Sequence, residues 1–400
     1  MRNTNKKWLV VFGAVLVQLC IGAVYSWSLF NQPLIDKFHW QKNDVIFTFS
    51  ITIFIFAFTT IFSGNLQDKI GPRKVTMIGG VLYGAGLILT STATTITQMH
   101  IYYGVIGGLG VGFCYVCPLS TCVKWFPAKK GFITGITVGA FGLGSLVFKS
   151  VIEFLLNSKG VSETFFYIGI IYLVIIVIGA QFLSTPDEEF SSILIEKNSL
   201  NKLKNYTVTE MIKTRSFPLI WIMYLFGSLG GLLIIGSAKD IGVQLAGLSP
   251  QISANSVSTI AFFNAGGRLV WGSLSDKLSR LKVIFILFTI TGISMFVMSV
   301  VDLKFFTFFI CIASITFCFG GFLAIFPTIT GDFYGTKNLG ANYGIIYQAY
   351  GLSALIGPFI ISNTNNFKTT FIILTILSML GASLTFLVKN PNKATSKSVQ

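Results

Sequence analysis

The 400-residue chain is 53% hydrophobic, only 11% charged, and carries a formal charge of +15. A soluble domain holds about 25% charged residues, and a globule of this composition would leave more apolar surface than it could enclose, so a soluble enzyme is excluded. The basic excess sits in short segments between apolar runs, not on one face, which points to an anionic leaflet and away from nucleic acid.

The apolar runs fall near 8–30, 45–63, 75–95, 99–121, 131–152 and 165–184, then 217–237, 253–273, 283–301, 305–327, 340–362 and 368–388. Each is long enough to cross ~30 Å of hydrocarbon as a helix. The first is too long for a signal-peptide core and lacks a small-residue cleavage site. The expectation is an all-α membrane protein with twelve transmembrane helices in two pseudo-symmetric six-helix bundles. It divides into an N-terminal half (1–184), a polar cytoplasmic linker with some helix (185–216), and a C-terminal half with a short tail (217–400). With both termini cytoplasmic, 21 Lys and Arg fall in inside segments and six outside, leaving Lys149 and Arg268 within spans. That asymmetry fits a multi-pass protein of the cytoplasmic membrane.

Two segments repeat. Gly64-Asn-Leu-Gln-Asp68-Lys69 follows the second run and Gly272-Ser-Leu-Ser-Asp276-Lys277 the eighth; both read G-x-L-x-D-K. Gly112-Phe-Cys-Tyr-Val-Cys-Pro118 in the fourth run corresponds to Gly321-Phe-Leu-Ala-Ile-Phe-Pro327 in the tenth. Two related halves predict alternating access about a central site. In the repeated loops, glycine permits close helix approach. The carboxylates can meet a neighbouring helix end or a basic residue and latch one conformation. Asp68, Lys69 and Arg73, with Asp276, Lys277 and Arg280, are the expected gating residues; the alternative is a solvated charged turn.

The six cysteines all lie in apolar runs, and Cys114 and Cys117 have no histidine or second pair at zinc spacing. No G-x-x-x-x-G-K-[ST] occurs, so ATP is not expected to drive the cycle, and no cofactor or metal is expected. Gly107, Gly108, Gly110 and Gly112 read as packing glycines. None of the fourteen acids falls in the middle of a run, and His39 and His100 lie near outer loops, so no mid-membrane proton relay is legible.

The segment Gly64-x-x-x-Asp68-Lys69-x-Gly71-Pro72-Arg73-Lys74 resembles the loop signature of the major facilitator superfamily. Further patterns narrow the resemblance: Tyr25-Ser-Trp27-Ser-Leu-Phe30, Lys124-Trp-Phe-Pro127-Ala-Lys-Lys-Gly131, Gly267-Arg268, Gly331-Asp332-Phe-Tyr-Gly335 and Asn342-Tyr343-Gly344. In this order, from about Trp8 to Pro391, the chain looks like the oxalate/formate antiporter family, in particular its bacterial pyruvate and small-monocarboxylate branch. The resemblance implies that Arg268 binds the substrate carboxylate. In that family's oxalate carrier a lysine follows the Asn-Tyr motif, and Tyr350 stands at the matching position here.

Physical chemistry points the same way. A charge at membrane depth costs several kcal/mol unless it meets water or a partner, and a guanidinium matches a carboxylate in plane and spacing. The alternative is an arginine that reaches the cytoplasmic surface and pairs with Asp276. Asn264, one turn earlier, would share the helix face. One cation neutralises a monoanion and leaves a dianion half compensated, so the expected cargo is a small monocarboxylate such as pyruvate, lactate or formate. An oxalate/formate-type dicarboxylate exchanger, and less so a membrane-embedded carboxylate sensor, remain alternatives. Tyr25, Tyr347, Gln348 and Tyr350 are candidate hydrogen-bonding groups for the anion, with helix packing as the other reading of the tyrosines. Lys149 is a candidate second cation or a lysine paired with Glu153. The expected partners are this anion and the bilayer, with no nucleic acid and the chain monomeric.

Overall fold

The computed structural model describes residues 2–186, 204–364 and 366–392. Among them every regular element is helical, and the chain forms twelve membrane spans. Arg2–Gly22, a 3-10 turn Ala23–Trp27 and Ser28–Phe38 make the first span. Lys42–Ile70 is the second and Pro72–Thr90 the third. The fourth runs through Ile96–Met99, a π-helical segment His100–Gly107 and Gly108–Trp125. Lys130–Gln181 is helical throughout except at Gly160 (φ 78°, ψ 174°), a left-handed position that lets the fifth span turn into the sixth.

Ser216–Gln244, Pro250–Lys277, Arg280–Val300 and Phe305–Tyr334 are the seventh to tenth spans. Leu339–Ile346 and Gln348–Thr364, interrupted at Tyr347, form the eleventh, and Phe367–Leu384 the twelfth. Phe262, Phe306 and Phe386 are more than 60% exposed. Such rings belong against lipid tails, not water.

Several helices outlast their apolar runs. The second continues through Asp68 and Lys69 to a break at Gly71 (φ 90°), so the G-x-L-x-D-K signature lies on the last turns of a helix. The same holds for Asp276 and Lys277 at the end of the eighth span, and for Asp332 on the tenth. Backbone hydrogen bonding does not stop where hydropathy drops, because a helix can extend into the interfacial layer with polar side chains.

Of the linker, residues 187–203 lie outside the described residues, as do Lys393 and Lys397 in the tail. Its end holds a short helix, Val208–Ile212, closed by a reciprocal cap between Thr207 and Glu210. The Thr207 backbone N–H and the Lys204 ammonium lower the Glu210 carboxyl to about 2.

The contacts group the chain into two compact units. The first comprises Met1–Ala128, Ala140–Lys202 and Thr336–Gly351; the second comprises Lys129–Gly139, Leu203–Gly335 and Leu352–Gln400. Each therefore holds spans of one sequence half together with a short helical start from the other half.

Glycines make these exchanged starts possible. In the first unit, a Cβ on Gly64 would lie 2.1 Å from the Gly340 carbonyl oxygen, and one on Gly344 would lie 2.3 Å from that of Thr60. In the second, a Cβ on Gly131 would lie 2.1 Å from the Gly272 oxygen, and one on Gly135 would lie 2.7 Å from that of Arg268. Only glycine lets two helices touch backbone to backbone in this way.

Candidate functional site

Within the second unit, the eighth span presents two faces. Phe262, Leu269 and Val270 are exposed, whereas Asn264, Arg268 and Ser275 are buried. The buried face packs tightly on the tenth span. A Cβ on Gly267 would meet the Phe317 oxygen at 2.0 Å, and one on Gly320 would meet that of Asn264 at 2.1 Å.

Arg268 is wholly buried, and its Nη1 donates to the Val138 carbonyl on the fifth span at 2.5 Å. Asp276, which the alternative reading pairs with Arg268, bonds Gly131, Phe132 and Arg280. Asn264 is 3% exposed, and among the described residues neither its amide nitrogen nor its amide oxygen has a hydrogen-bond partner.

The other candidates gather in the first unit. The Tyr25 hydroxyl lies 2.6 Å from that of Tyr350. Tyr25 stands in the 3-10 turn of the first span, and Tyr350 stands just past the interruption at Tyr347. Around them, Tyr347 stacks on Tyr350 at 4.8 Å and packs against Tyr115 at 4.9 Å and Phe56 at 5.4 Å; Phe141 meets Tyr25 at 5.2 Å. Helices interrupted in this way supply the liganding groups of many carriers.

Gln348 is engaged in helix contact. Its Nε2 donates to the Ala57 oxygen at 2.6 Å and to the Gly344 oxygen at 2.8 Å. Thr60 also donates to Gly344, at 3.2 Å. These side-chain donors converge on the carbonyl one turn before Gln348, where the helix is interrupted. Lys149 is half exposed and lies 3.6 Å from Glu153, the pairing given as its second reading.

Each repeated aspartate meets the start of an exchanged helix. Asp276 accepts from the backbone N–H of Gly131 at 2.9 Å and of Phe132 at 2.8 Å. Arg280 bonds Asp276 at 2.8 Å and Asp332 at 3.0 Å, and Lys130 bonds Asp332 at 2.8 Å. Asp68 accepts from the Ala341 N–H at 3.4 Å and pairs with Lys124 at 3.1 Å. A carboxylate at a helix N-terminus meets unsatisfied N–H groups and the positive end of the helix dipole.

Lys69 and Lys277 are exposed and, among the described residues, make no ion pair; Arg73 donates to Gln181. Sequence reasoning did not assign Lys124, Lys130 or Asp332 to these contacts, nor Phe56, Tyr115 and Phe141 to the aromatic cluster. The signal for Asp332 was a lone acid closing the most apolar run. No signal marked the rings. Among the described residues no three His, Cys, Asp or Glu side chains gather as a metal site. Cys114 and Cys117 donate to the Thr76 and Phe113 carbonyls.

Comparison with known proteins gives a consistent picture. The chain is 37% identical over 350 residues to the uncharacterized MFS-type transporter YhjX of Escherichia coli, covering 87% of this chain and 86% of that one. It is 28% identical over 401 residues to the oxalate:formate antiporter of Oxalobacter formigenes, covering 99% and 94%. It is 22% identical over 458 residues to apicoplast pyruvate carrier 1 of Toxoplasma gondii, covering 88% and 83%. Its fold matches the solved proton:xylose symporter XylE with a TM-score of 0.75 at 14% identity, over 96% of both chains. The profile of the Major Facilitator Superfamily matches residues 8–238 and 220–400, and the chain is a multi-pass membrane transporter of that superfamily, not an enzyme.

Proposed function

We propose that the chain carries a small monocarboxylate anion across the cytoplasmic membrane by alternating access, with Arg268 as the group that holds the carboxylate. The observation that carries this reading is the complete burial of the Arg268 guanidinium within a span, hydrogen-bonded to a neutral backbone carbonyl. A guanidinium at that depth favours an anionic ligand over water or a cation. Relatives named for oxalate:formate and for pyruvate support a carboxylate cargo, and a single arginine matches one negative charge better than two.

Tyr25, Tyr347, Tyr350 and Gln348 belong to the same reading as polar contacts of the cargo, and Lys149 as an outer cation that draws anions in. The helix-end contacts of Asp68 and Asp276 act as cytoplasmic latches, with Arg280 bonded directly to Asp276 and Lys69, Arg73 and Lys277 at their margins. Both termini are cytoplasmic, the working unit is the monomer, and no ATP is consumed.

Reconstituted in vesicles, the protein should exchange labelled pyruvate or lactate. Arg268→Ala should lower uptake at least 100-fold while the purified variant still gives a cooperative melting transition, an effect of the size expected when a charge-assisted contact to the cargo is removed. Normal uptake by Arg268→Ala sinks the assignment. Exchange of oxalate in preference to a monocarboxylate would favour the dianion reading instead.

A further inference from the structure

The stripe on the eighth span holds more than a charge. Asn264 precedes Arg268 by four residues, so their Cβ atoms lie about 6 Å apart on one face. Side chains on a helix lean toward its N-terminus, so Arg268 leans over the turn that bears Asn264. Asn264 is 3% exposed, and both amide atoms lack hydrogen-bond partners among the described residues.

Buried amides are nearly always hydrogen-bonded, because an unmet donor and acceptor away from water are costly. One that stands open beside a cargo-binding arginine is a recognition group. The neighbouring backbone cannot meet it by closing further, because the eighth and tenth spans already touch at Gly320.

The amide offers one acceptor, Oδ1, and a donor pair at Nδ2. The complementary group both donates and accepts, as a hydroxyl does. A keto oxygen meets only the donor, and a methylene meets neither. We propose, resting on the assignment of Arg268 to the carboxylate, that Asn264 reads the carbon next to that carboxylate and makes the carrier selective for 2-hydroxy monocarboxylates. 2-Oxo acids rank second and unsubstituted acids last. A site built to hydrogen-bond a hydroxyl discriminates strongly against the analogue that lacks it.

The test compares lactate, pyruvate and propionate as competitors of uptake in vesicles of the full chain. They have equal carbon number and one charge each. The wild-type protein should prefer lactate to propionate at least tenfold, with pyruvate between, and the lactate-to-propionate ratio should fall close to one in Asn264→Leu. Equal affinity for all three acids in the wild type overturns the proposal whatever the variant does, as does a ratio kept by a folded Asn264→Leu. The two assignments fail separately. Arg268→Ala that still transports removes the carboxylate site, whereas a wild type that needs Arg268 but ignores the 2-substituent removes only the role of Asn264.

Discussion

The two proposed latches start from one sequence pattern and end with different bonding. Both are built on G-x-L-x-D-K at the end of a helix, and both press the signature glycine onto a carbonyl of an exchanged helix start: a would-be Cβ on Gly64 lies 2.1 Å from the Gly340 oxygen, and one on Gly272 lies 2.5 Å from that of Gly131. In the first unit Asp68 then makes one long backbone contact, 3.4 Å to Ala341, and an ion pair with Lys124. In the second, Asp276 takes two backbone N–H groups at 2.9 and 2.8 Å, and Arg280 joins it to Asp332 and thereby to Lys130. The repeat therefore specifies where the carboxylate stands, while residues outside the repeat set how firmly it is held. In the proposed cycle the first unit yields more readily than the second.

The largest effect should come from the glycines. Gly131→Ala would drive its Cβ into the Gly272 backbone, which cannot rotate aside, and the resulting separation would also lengthen both Asp276 bonds. Gly340→Ala first meets the Gln67 amide at 2.7 Å, a side-chain end that can swing, and the Gly64 oxygen only at 3.0 Å. Overpacking costs about 1–3 kcal/mol. Gly131→Ala should lie at or above the top of that range and Gly340→Ala near the bottom, read as melting of the purified variants. Equal losses would show that the two helix contacts are alike and that the aspartate geometry carries no weight.

Removing the charges gives the next effect. Hydrogen bonds to a charged group contribute about 1.5–3 kcal/mol, less where solvent screens the pair. Asp276→Asn loses a carboxylate that serves two backbone donors and a guanidinium, and should cost about 2 kcal/mol. Asp68→Asn should cost about 1 kcal/mol or less. Alkylation of cysteines introduced beside Asp68 and Asp276 should rise more for Asp276→Asn. A larger rise for Asp68→Asn would reverse the ranking.

Much of this was legible before any coordinates. Twelve runs of apolar residues sufficed for twelve spans, because lipid requires long uninterrupted hydrophobic helices that few local choices can disguise. The signature glycines and aspartates were legible because they recur. Helix ends were not, since polar residues such as Asp68 and Lys69 continue the helix beyond the apolar run. The partners of the latches were not either: Lys130 and Asp332 are 202 residues apart, and nothing local ties them. The Arg268 bond to Val138 was out of reach for another reason, since a backbone carbonyl carries no sequence identity. Chemistry alone marked Gln348, but not the carbonyls of the second and eleventh spans to which its amide nitrogen donates, for the same reason.

The smallest effect belongs to the linker helix, which touches the second latch only indirectly. The Tyr206 N–H bonds the Tyr334 oxygen, and the Asn392 amide bonds the Phe333 oxygen, so linker and tail both end on the turn that follows Asp332. The Glu210 cap lies at the start of this connection. Its carboxyl sits at about 2 against an ordinary 4.5, because the Thr207 N–H and then Lys204 favour the charged form. A depressed carboxyl stabilises the fold fully above its ordinary value and loses that contribution as pH falls through the lowered one. The difference in melting between the wild type and Glu210→Gln should therefore be small and constant from about pH 5 to 8, and should shrink only as the medium is acidified through the interval from 4.5 to about 2. A difference that changes sharply between about pH 6 and 8 would mean that the cap titrates near neutrality. A loss as large as that of Asp276→Asn would mean that the linker, and not the aspartate, is what holds the second latch.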